Sequence, residues 1–417
     1  MSKIIIEGNH KLSGEIVING AKNSAVALIP AAILCDEQAK IINVPKISDV
    51  DSLDEILEYL GAKIEKTEKS LIIDSSNIKN REIPENISKK LRASYYFMGA
   101  LLGKYKSVKM YFPGGCNIGT RPINLHLKAF EALGAKVEEK NNLYIIKAKK
   151  LKGAKIYFDI ASVGATINTI LAAVKAEGIT TIQNAAKEPE IVNVATFLNN
   201  MGAKITGAGT SEIKIVGVKS LKSTFIEVIP DRIEAGTYLI LASLIGKNIK
   251  IKNIIPEHIE ALISKLKEAG VDMYINSDYI LVKGHKKLKS INIKTSVFPG
   301  FATDLQQPLS TFMTQCNGRS IINETIYENR FQNLEHLSKM NAKVDIIKDK
   351  AYIYGKTNLV GNNVVATDLR GGACLIIAGL IAKGTTTIDN VEHILRGYSN
   401  IIENLEKIGA KIKIVDF

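Results

Sequence analysis

The chain has 417 residues, 46% of them hydrophobic and 23% charged, with a formal net charge of +13. That length can bury the cores of two or three domains, and the composition excludes a disordered, collagenous or disulfide-stapled protein. Four scattered cysteines with no C-x-x-C pair (Cys35, Cys116, Cys316, Cys374) exclude a zinc ribbon and fit a reducing cytoplasm.

The chain opens on Ile4-Ile5-Ile6-Glu7, too short an apolar core for a signal peptide, and no later apolar run is long enough to span a bilayer. A strand pattern follows over Leu12 to Ile18, then an apolar helix after Asn19-Gly20-Ala21-Lys22-Asn23. A short strand at Lys40-Ile41-Ile42-Asn43 and an amphipathic helix lead to Leu60-Gly61-Ala62-Lys63-Ile64. That phrase returns at Leu133-Gly134, Met201-Gly202, Ala269-Gly270, Met340-Asn341 and Ile408-Gly409, about 70 residues apart, above the usual solenoid period. In each copy the glycine, or Asn341, is placed to end a helix in the left-handed conformation before a strand pair. The upstream strand recurs at Thr181-Ile182-Gln183-Asn184, Ile251-Lys252-Asn253, Ile321-Ile322-Asn323 and Thr387-Ile388-Asp389-Asn390. Each unit therefore reads strand–helix–strand–helix–strand–strand, six units in all and three per domain. The sixth lacks the strand that opens a following copy, and Leu12 to Ile18 is its counterpart. The expected division is residues 22–229 as one domain and 1–21 with 230–417 as the second, the N-terminal strand crossing over, with an active site in the cleft between them.

Charged residues mark equivalent helix starts. Lys22-Asn23, Arg92, Ser162-Val163-Gly164, Asp231-Arg232, Asp304 and Asp368-Leu369-Arg370 open first helices; Arg121, Arg330 and Arg396 stand at the start of second ones. Arginine is unfavourable at a helix N-terminus, whereas external anions are favoured there, so this set points to a bound phosphate or carboxylate. Asp304 has two readings, an N-cap or a general base. His126 and His393 read as structural histidines. The loop Pro113-Gly114-Gly115-Cys116-Asn117-Ile118-Gly119-Thr120-Arg121-Pro122 sets one thiol among glycines before Pro122, which reads as the first helical position, so the thiol pKa is expected to fall. The lysines stand singly rather than in a basic block, so the net charge reads as solvated surface; nucleotide-hydrolase, dinucleotide and zinc-protease motifs are absent.

These motifs, with Leu91-Arg92-Ala93-Ser94, Glu188-Pro189-Glu190, Glu328-Asn329-Arg330-Phe331 and Arg396-Gly397-Tyr398, run in order over nearly the whole chain. The sequence resembles the UDP-N-acetylglucosamine enolpyruvyl transferases. The resemblance implies an α/β fold of two inside-out α/β barrels, a cytoplasmic enzyme of peptidoglycan synthesis, no metal or organic cofactor, and phosphoenolpyruvate and UDP-N-acetylglucosamine as partners, without nucleic acid or membrane insertion. It implies that the sugar 3′-hydroxyl adds to C2 of the enol and phosphate then leaves. Lys22, Asn23, Arg121, Arg330, Arg370 and Arg396 would hold phosphoenolpyruvate. Cys116 would protonate C3 and be the site of attack by fosfomycin, Asp304 would take the hydroxyl proton, and Asp368 would assist, with Lys22 and Arg396 also catalytic. Asn23, Arg92, Arg121, Pro122, Ile123, Asn124, Leu125, Ser162, Val163, Gly164, Asp304 and Ile326 map to the nucleotide-sugar site. Ile160 departs from the pattern, standing where some members carry a lysine. The competing readings are a shikimate-phosphate enolpyruvyl transferase of the same fold and a basic RNA-binding repeat protein.

Overall fold

The computed structural model describes residues 2–114, 122–285 and 287–416. They form two compact units, the first of residues 20–114 and 122–229, the second of residues 2–19 and 230–416. Each has its own apolar core.

The repeat is visible in the caps. Gly61, Gly134, Gly202, Gly270, Asn341 and Gly409 all take positive φ, between 75° and 104°, where a Cβ is disfavoured and asparagine is the best-tolerated alternative. Each ends the outer helix of its unit and turns the chain into a hairpin. The outer helices are amphipathic: in Ser48–Leu60, Leu53, Ile56, Leu57 and Leu60 make one buried stripe. The inner helices are buried nearly all round and mostly apolar, Thr303–Thr314 being the exception with its buried Gln306, Gln307, Ser310 and Thr311. In the first unit these are Lys22–Ala32, Tyr96–Tyr105 and Val163–Ala173; in the second, Arg232–Ile245, Thr303–Thr314 and Leu369–Ile381. In the second unit the three pack on one another, in the first Tyr96–Tyr105 packs on both of the others, and sheets cover them, which is the inside-out arrangement that the resemblance implies.

The sheets repeat one order. In the second unit Leu12–Val17 runs parallel to Gly246–Lys252, which pairs antiparallel with Tyr279–His285, and Val271–Ile275 closes the edge. Asn292–Lys294, Gly318–Asn323, Lys350–Gly355 and Lys343–Ile347 repeat that order. The last sheet substitutes a distant strand: between Thr385–Asp389 and Lys411–Asp416 lies Ser2–Glu7, antiparallel to both, with Ser2 opposite Asp416. Two strands of the N-terminal segment thus complete two sheets of the second unit. In the first unit, Thr224–Glu227 lies parallel to Gln38–Ile42 and closes that ring. Among the described residues, its three-stranded sheet has the isolated bridge of Ile83 to Met110 where the others carry a parallel edge strand.

Candidate active site

In the second unit the starts of the inner helices converge. Asp304, second residue of Thr303–Thr314, does not cap its helix, since Ala302 holds that position. Its carboxylate faces two arginines. Arg330 Nη2 donates to Oδ1 at 2.7 Å, while Arg370 Nε and Nη2 donate to Oδ2 at 3.3 and 3.2 Å. Both arginine side chains are 3% exposed and the aspartate is 27% exposed, so the carboxylate is the member of the group that a ligand can reach. Burial raises the Asp304 carboxyl pKa, but the charges of Arg330 and then Arg370 outweigh it and hold the group far below the ordinary carboxylate range. Arg330 also donates to Thr303 Oγ1 at 2.8 Å and lies over the Tyr327 ring, while Arg370 lies over the Tyr398 ring. Among the described residues, Arg330 Nε and Arg370 Nη1 are buried without a hydrogen-bond acceptor.

Asp368 is the N-cap of Leu369–Ile381. Its Oδ1 accepts from the backbone N–H of Arg370 and Gly371 at 2.9 and 3.1 Å, and its Oδ2 accepts from Gln307 Nε2 at 3.0 Å. A cap of this kind is worth about 1 kcal/mol, and here it also fixes the residue that sends Arg370 to Asp304. Asp231 caps Arg232–Ile245 in the same way, through Ile233 and Glu234. Arg396 corrects the sequence reading: it is half-buried at the C-terminal end of the short helix Glu392–Leu395, not at a helix start. Arg330 lies just before its helix, Gln332–Lys339. Ile326 is partly buried in the turn after Gly318–Asn323.

In the first unit Lys22 is the first residue of its helix, and its Nζ is paired with buried Asp49. Asn23 follows it, partly buried. Arg92 opens the 3-10 turn Arg92–Tyr95 and lies over the Phe112 ring. Ser162 caps Val163–Ala173 by accepting from Ala165 N–H at 3.3 Å. Gly164 allows the close approach there: a Cβ would stand 2.8 Å from Tyr95 Oη and 2.9 Å from His126 Cε1. His126 Nδ1 faces Asn168 Nδ2 at 2.8 Å, and the amide is oriented by Gly99 N–H on its Oδ1. Nδ1 is therefore the acceptor and the ring proton sits on Nε2. Burial, then the charge of Arg92, lower its pKa to about 3, so it stays neutral and structural. Helix Asn124–Ala132 begins two residues after Pro122, which is therefore outside the helix rather than its first residue, while Ile123 and Leu125 are buried. Ile160 is 68% exposed. Cys116 and Arg121 lie outside the described residues.

Sequence reasoning missed several groups whose partners are remote in the chain. Glu234 is buried, and both its oxygens accept from Asn19, Oε2 from N–H at 3.1 Å and Oε1 from Nδ2 at 3.0 Å. Burial first, and Asp231 second, raise its pKa to about 8 against those hydrogen bonds and Arg370. The folded state therefore holds this proton more tightly than the unfolded chain, whose carboxyl titrates near 4.5. Stability should fall as pH rises through that interval. Thermal unfolding of Glu234→Gln should show a shallower decline between about pH 5 and pH 8 than the parent chain. An equal slope would assign the decline to other groups. Glu324 was also missed, although the repeat marks it. The residues after the landmark asparagines are Val44, Ala185, Ile254 and Val391 in four units and a carboxylate in this one.

The comparisons with known proteins agree with this architecture. The family model of EPSP synthase (3-phosphoshikimate 1-carboxyvinyltransferase) matches residues 6–405. Among curated relatives, a UDP-N-acetylglucosamine 1-carboxyvinyltransferase 1 of Streptococcus agalactiae is 53% identical over 418 residues, covering 100% of both chains. A UDP-N-acetylglucosamine 1-carboxyvinyltransferase 2 of Listeria innocua is 51% identical, over 99% of this chain and 97% of its own. Among solved structures, the enolpyruvyl transferase NikO from Streptomyces tendae superposes with a TM-score of 0.90 at 24% identity, over 99% of each chain. An EPSP synthase from Acinetobacter baumannii gives 0.77 at 19% identity over 100% of each, so these two speak for the fold.

Proposed function

The chain belongs to the EPSP synthase (3-phosphoshikimate 1-carboxyvinyltransferase) family, and from that membership we propose that it transfers the enolpyruvyl group of phosphoenolpyruvate to UDP-N-acetylglucosamine, releasing phosphate. The observation that carries the choice of acceptor is identity above 50%, end to end, with relatives named for that sugar nucleotide. A shikimate-phosphate acceptor has support only from the family model's name and from fold neighbours under 25% identical. The reaction belongs to peptidoglycan synthesis and takes place in the cytoplasm.

The chemistry needs a base for the attacking sugar 3′-hydroxyl, an acid for C3 of the enol, and cations for a dianionic leaving group. Asp304 is the base, with a specific condition attached. Held by two guanidiniums, its carboxylate has little affinity for a proton. Arg330 and Arg370 carry buried donors without acceptors, and an anionic substrate supplies what those donors lack. As phosphoenolpyruvate draws the arginines to itself, the hold on Asp304 weakens and its pKa rises toward the range of a working base. Substrate binding thereby switches the base on. Lys22, Arg121 and Arg396 take the phosphate, and Asp368 keeps Arg370 in register. Addition joins the sugar oxygen to C2 while a proton from Cys116 reaches C3; elimination breaks the C2–O bond to phosphate and returns a C3 proton. Asn23, Arg92, Pro122, Ile123, Asn124, Leu125, Ser162, Val163, Gly164 and Ile326 hold the nucleotide sugar.

Phosphate release from phosphoenolpyruvate tests the reading. Release that requires UDP-N-acetylglucosamine and ceases after fosfomycin treatment is the expected result; release with shikimate phosphate instead would overturn it. Cys116→Asp keeps an acid at the same place without a nucleophilic thiol, so it should retain turnover and lose fosfomycin sensitivity. Loss of all turnover in that variant would remove the pure acid role.

A further inference from the structure

Glu324 follows strand Gly318–Asn323 and is 3% exposed. A carboxylate so deeply placed is costly unless its lone pairs are used, and here they are. Oε1 accepts from Thr295 Oγ1 at 2.9 Å and from the backbone N–H groups of Ile326 and Tyr327 at 2.8 and 3.2 Å. Oε2 accepts from Thr303 Oγ1 at 2.8 Å. The Thr303 hydroxyl has one proton, and Glu324 takes it. The remaining lone pairs of that oxygen face outward and accept Arg330 Nη1–H at 2.8 Å, while Nη2 of the same guanidinium donates to Asp304. A second threonine braces the carboxylate from behind: Thr295 Oγ1 accepts from Thr325 N–H at 2.8 Å while donating to Glu324.

From this geometry we propose that Glu324 is a positioning residue for the transfer reaction, one carboxylate that sets both the aim of Arg330 at Asp304 and the turn that presents Ile326. The inference rests on the function proposed above, because Arg330, Asp304 and Ile326 take their roles from it. Each oxygen has its own task. Oε2 fixes the polarity of Thr303, so that the hydroxyl meets Arg330 as an acceptor and holds the guanidinium edge-on to the base. Oε1 gathers two successive backbone N–H groups and closes the turn over Ile326 and Tyr327, and the Tyr327 ring in turn lies under Arg330. The inner-helix start and the loop after the strand are thus held in one frame. A carboxylate is required because four donors converge on it, a number that the two oxygens of an anion accept readily and one amide oxygen does not.

The test is steady-state phosphate release by the full chain, with KM measured separately for each substrate, on Glu324→Gln, Thr303→Val, Thr303→Ser and the Glu324→Gln/Thr303→Val double variant. Glu324→Gln should lower kcat about tenfold and raise the KM for UDP-N-acetylglucosamine about as much, the scale of losing hydrogen bonds to a charged acceptor. Thr303→Val cuts only the Arg330 arm, so kcat should fall and the sugar-nucleotide KM should hold. Thr303→Ser keeps the hydroxyl and should recover most of that kcat. The double variant should lose no more kcat than Glu324→Gln alone, since both break one link. Unchanged constants in Glu324→Gln, kcat losses that simply multiply, or a Thr303→Val enzyme with parental kcat would each overturn the proposal. Should Glu324→Gln fail to fold, the threonine pair decides alone. A parental chain without phosphate release would instead remove the function on which the proposal rests.

Discussion

Asp304→Asn should lower kcat for phosphate release by about a thousandfold while leaving the KM for phosphoenolpyruvate unchanged or lower, within the range assigned to general acid–base groups. The substitution keeps the size of the side chain and removes its charge. Asparagine Oδ1 can still accept from Arg330, but the amide N–H₂ then meets the Nε and Nη2 donors of Arg370, where Oδ2 now accepts both. The sugar hydroxyl loses its proton acceptor, hence the fall in kcat. The two guanidiniums lose the anion that competes with substrate, hence a KM that does not worsen. Separate kinetic constants check both halves. A variant with parental kcat, or one in which kcat is kept and only KM rises, would show that Asp304 anchors the arginines and removes no proton.

Arg370→Ala should reduce kcat/KM for phosphoenolpyruvate by about 10²–10³, with Arg370→Lys recovering little of it. Arg370 donates twice to one oxygen of Asp304, stacks on Tyr398 and leaves Nη1 buried without an acceptor. A lysine offers one compact charge and neither the fork nor the stacking plane. The same loss should lower stability, by about 1–3 kcal/mol from the charged hydrogen bonds and the cation–π contact. Arg330 remains to neutralise Asp304, so the protein should still fold. Substrate titrations together with thermal unfolding separate the two effects. Full activity in Arg370→Lys would reduce the arginine to a diffuse positive charge.

Much of this was legible because it is local. A left-handed cap favours glycine or asparagine whatever the fold, so the six repeat positions stand out in the sequence and the units can be counted, although Lys106 ends Tyr96–Tyr105 in the same conformation without either. Helix starts are equally local, and Ser162, Asp231 and Asp368 cap their helices on the residues that the sequence marks. Turn chemistry was less legible: Pro122 looks like a first helical residue and Arg396 like a start, yet one precedes its helix and the other ends one. The partners of charged groups were invisible. Asn19 and Glu234 are separated by 215 residues, and nothing in either neighbourhood names the other. Asp304 shows the same limit. An aspartate in a first turn is ordinarily a cap, and only the arrival of Arg330 and Arg370 from distant segments makes it something else. Glu324 lay between these cases, marked by the repeat as the charged residue where four other units are apolar.

The pairing of Ser2–Glu7 with Lys411–Asp416 has a consequence for biosynthesis. A ribosome makes Ser2–Glu7 long before either of its neighbours, so the strand emerges with no partner available and must stay unpaired until Thr385–Asp389 appears. Residues 20–229, whose sheets close on themselves, have no such wait and can fold while the rest is still being made. Non-local pairing of this kind is slow and leaves strand edges open to wrong partners. The interval before the chain is finished is therefore when the Ile4-Ile5-Ile6 strand is most exposed to aggregation, and when a holding chaperone would do most for the yield of native protein.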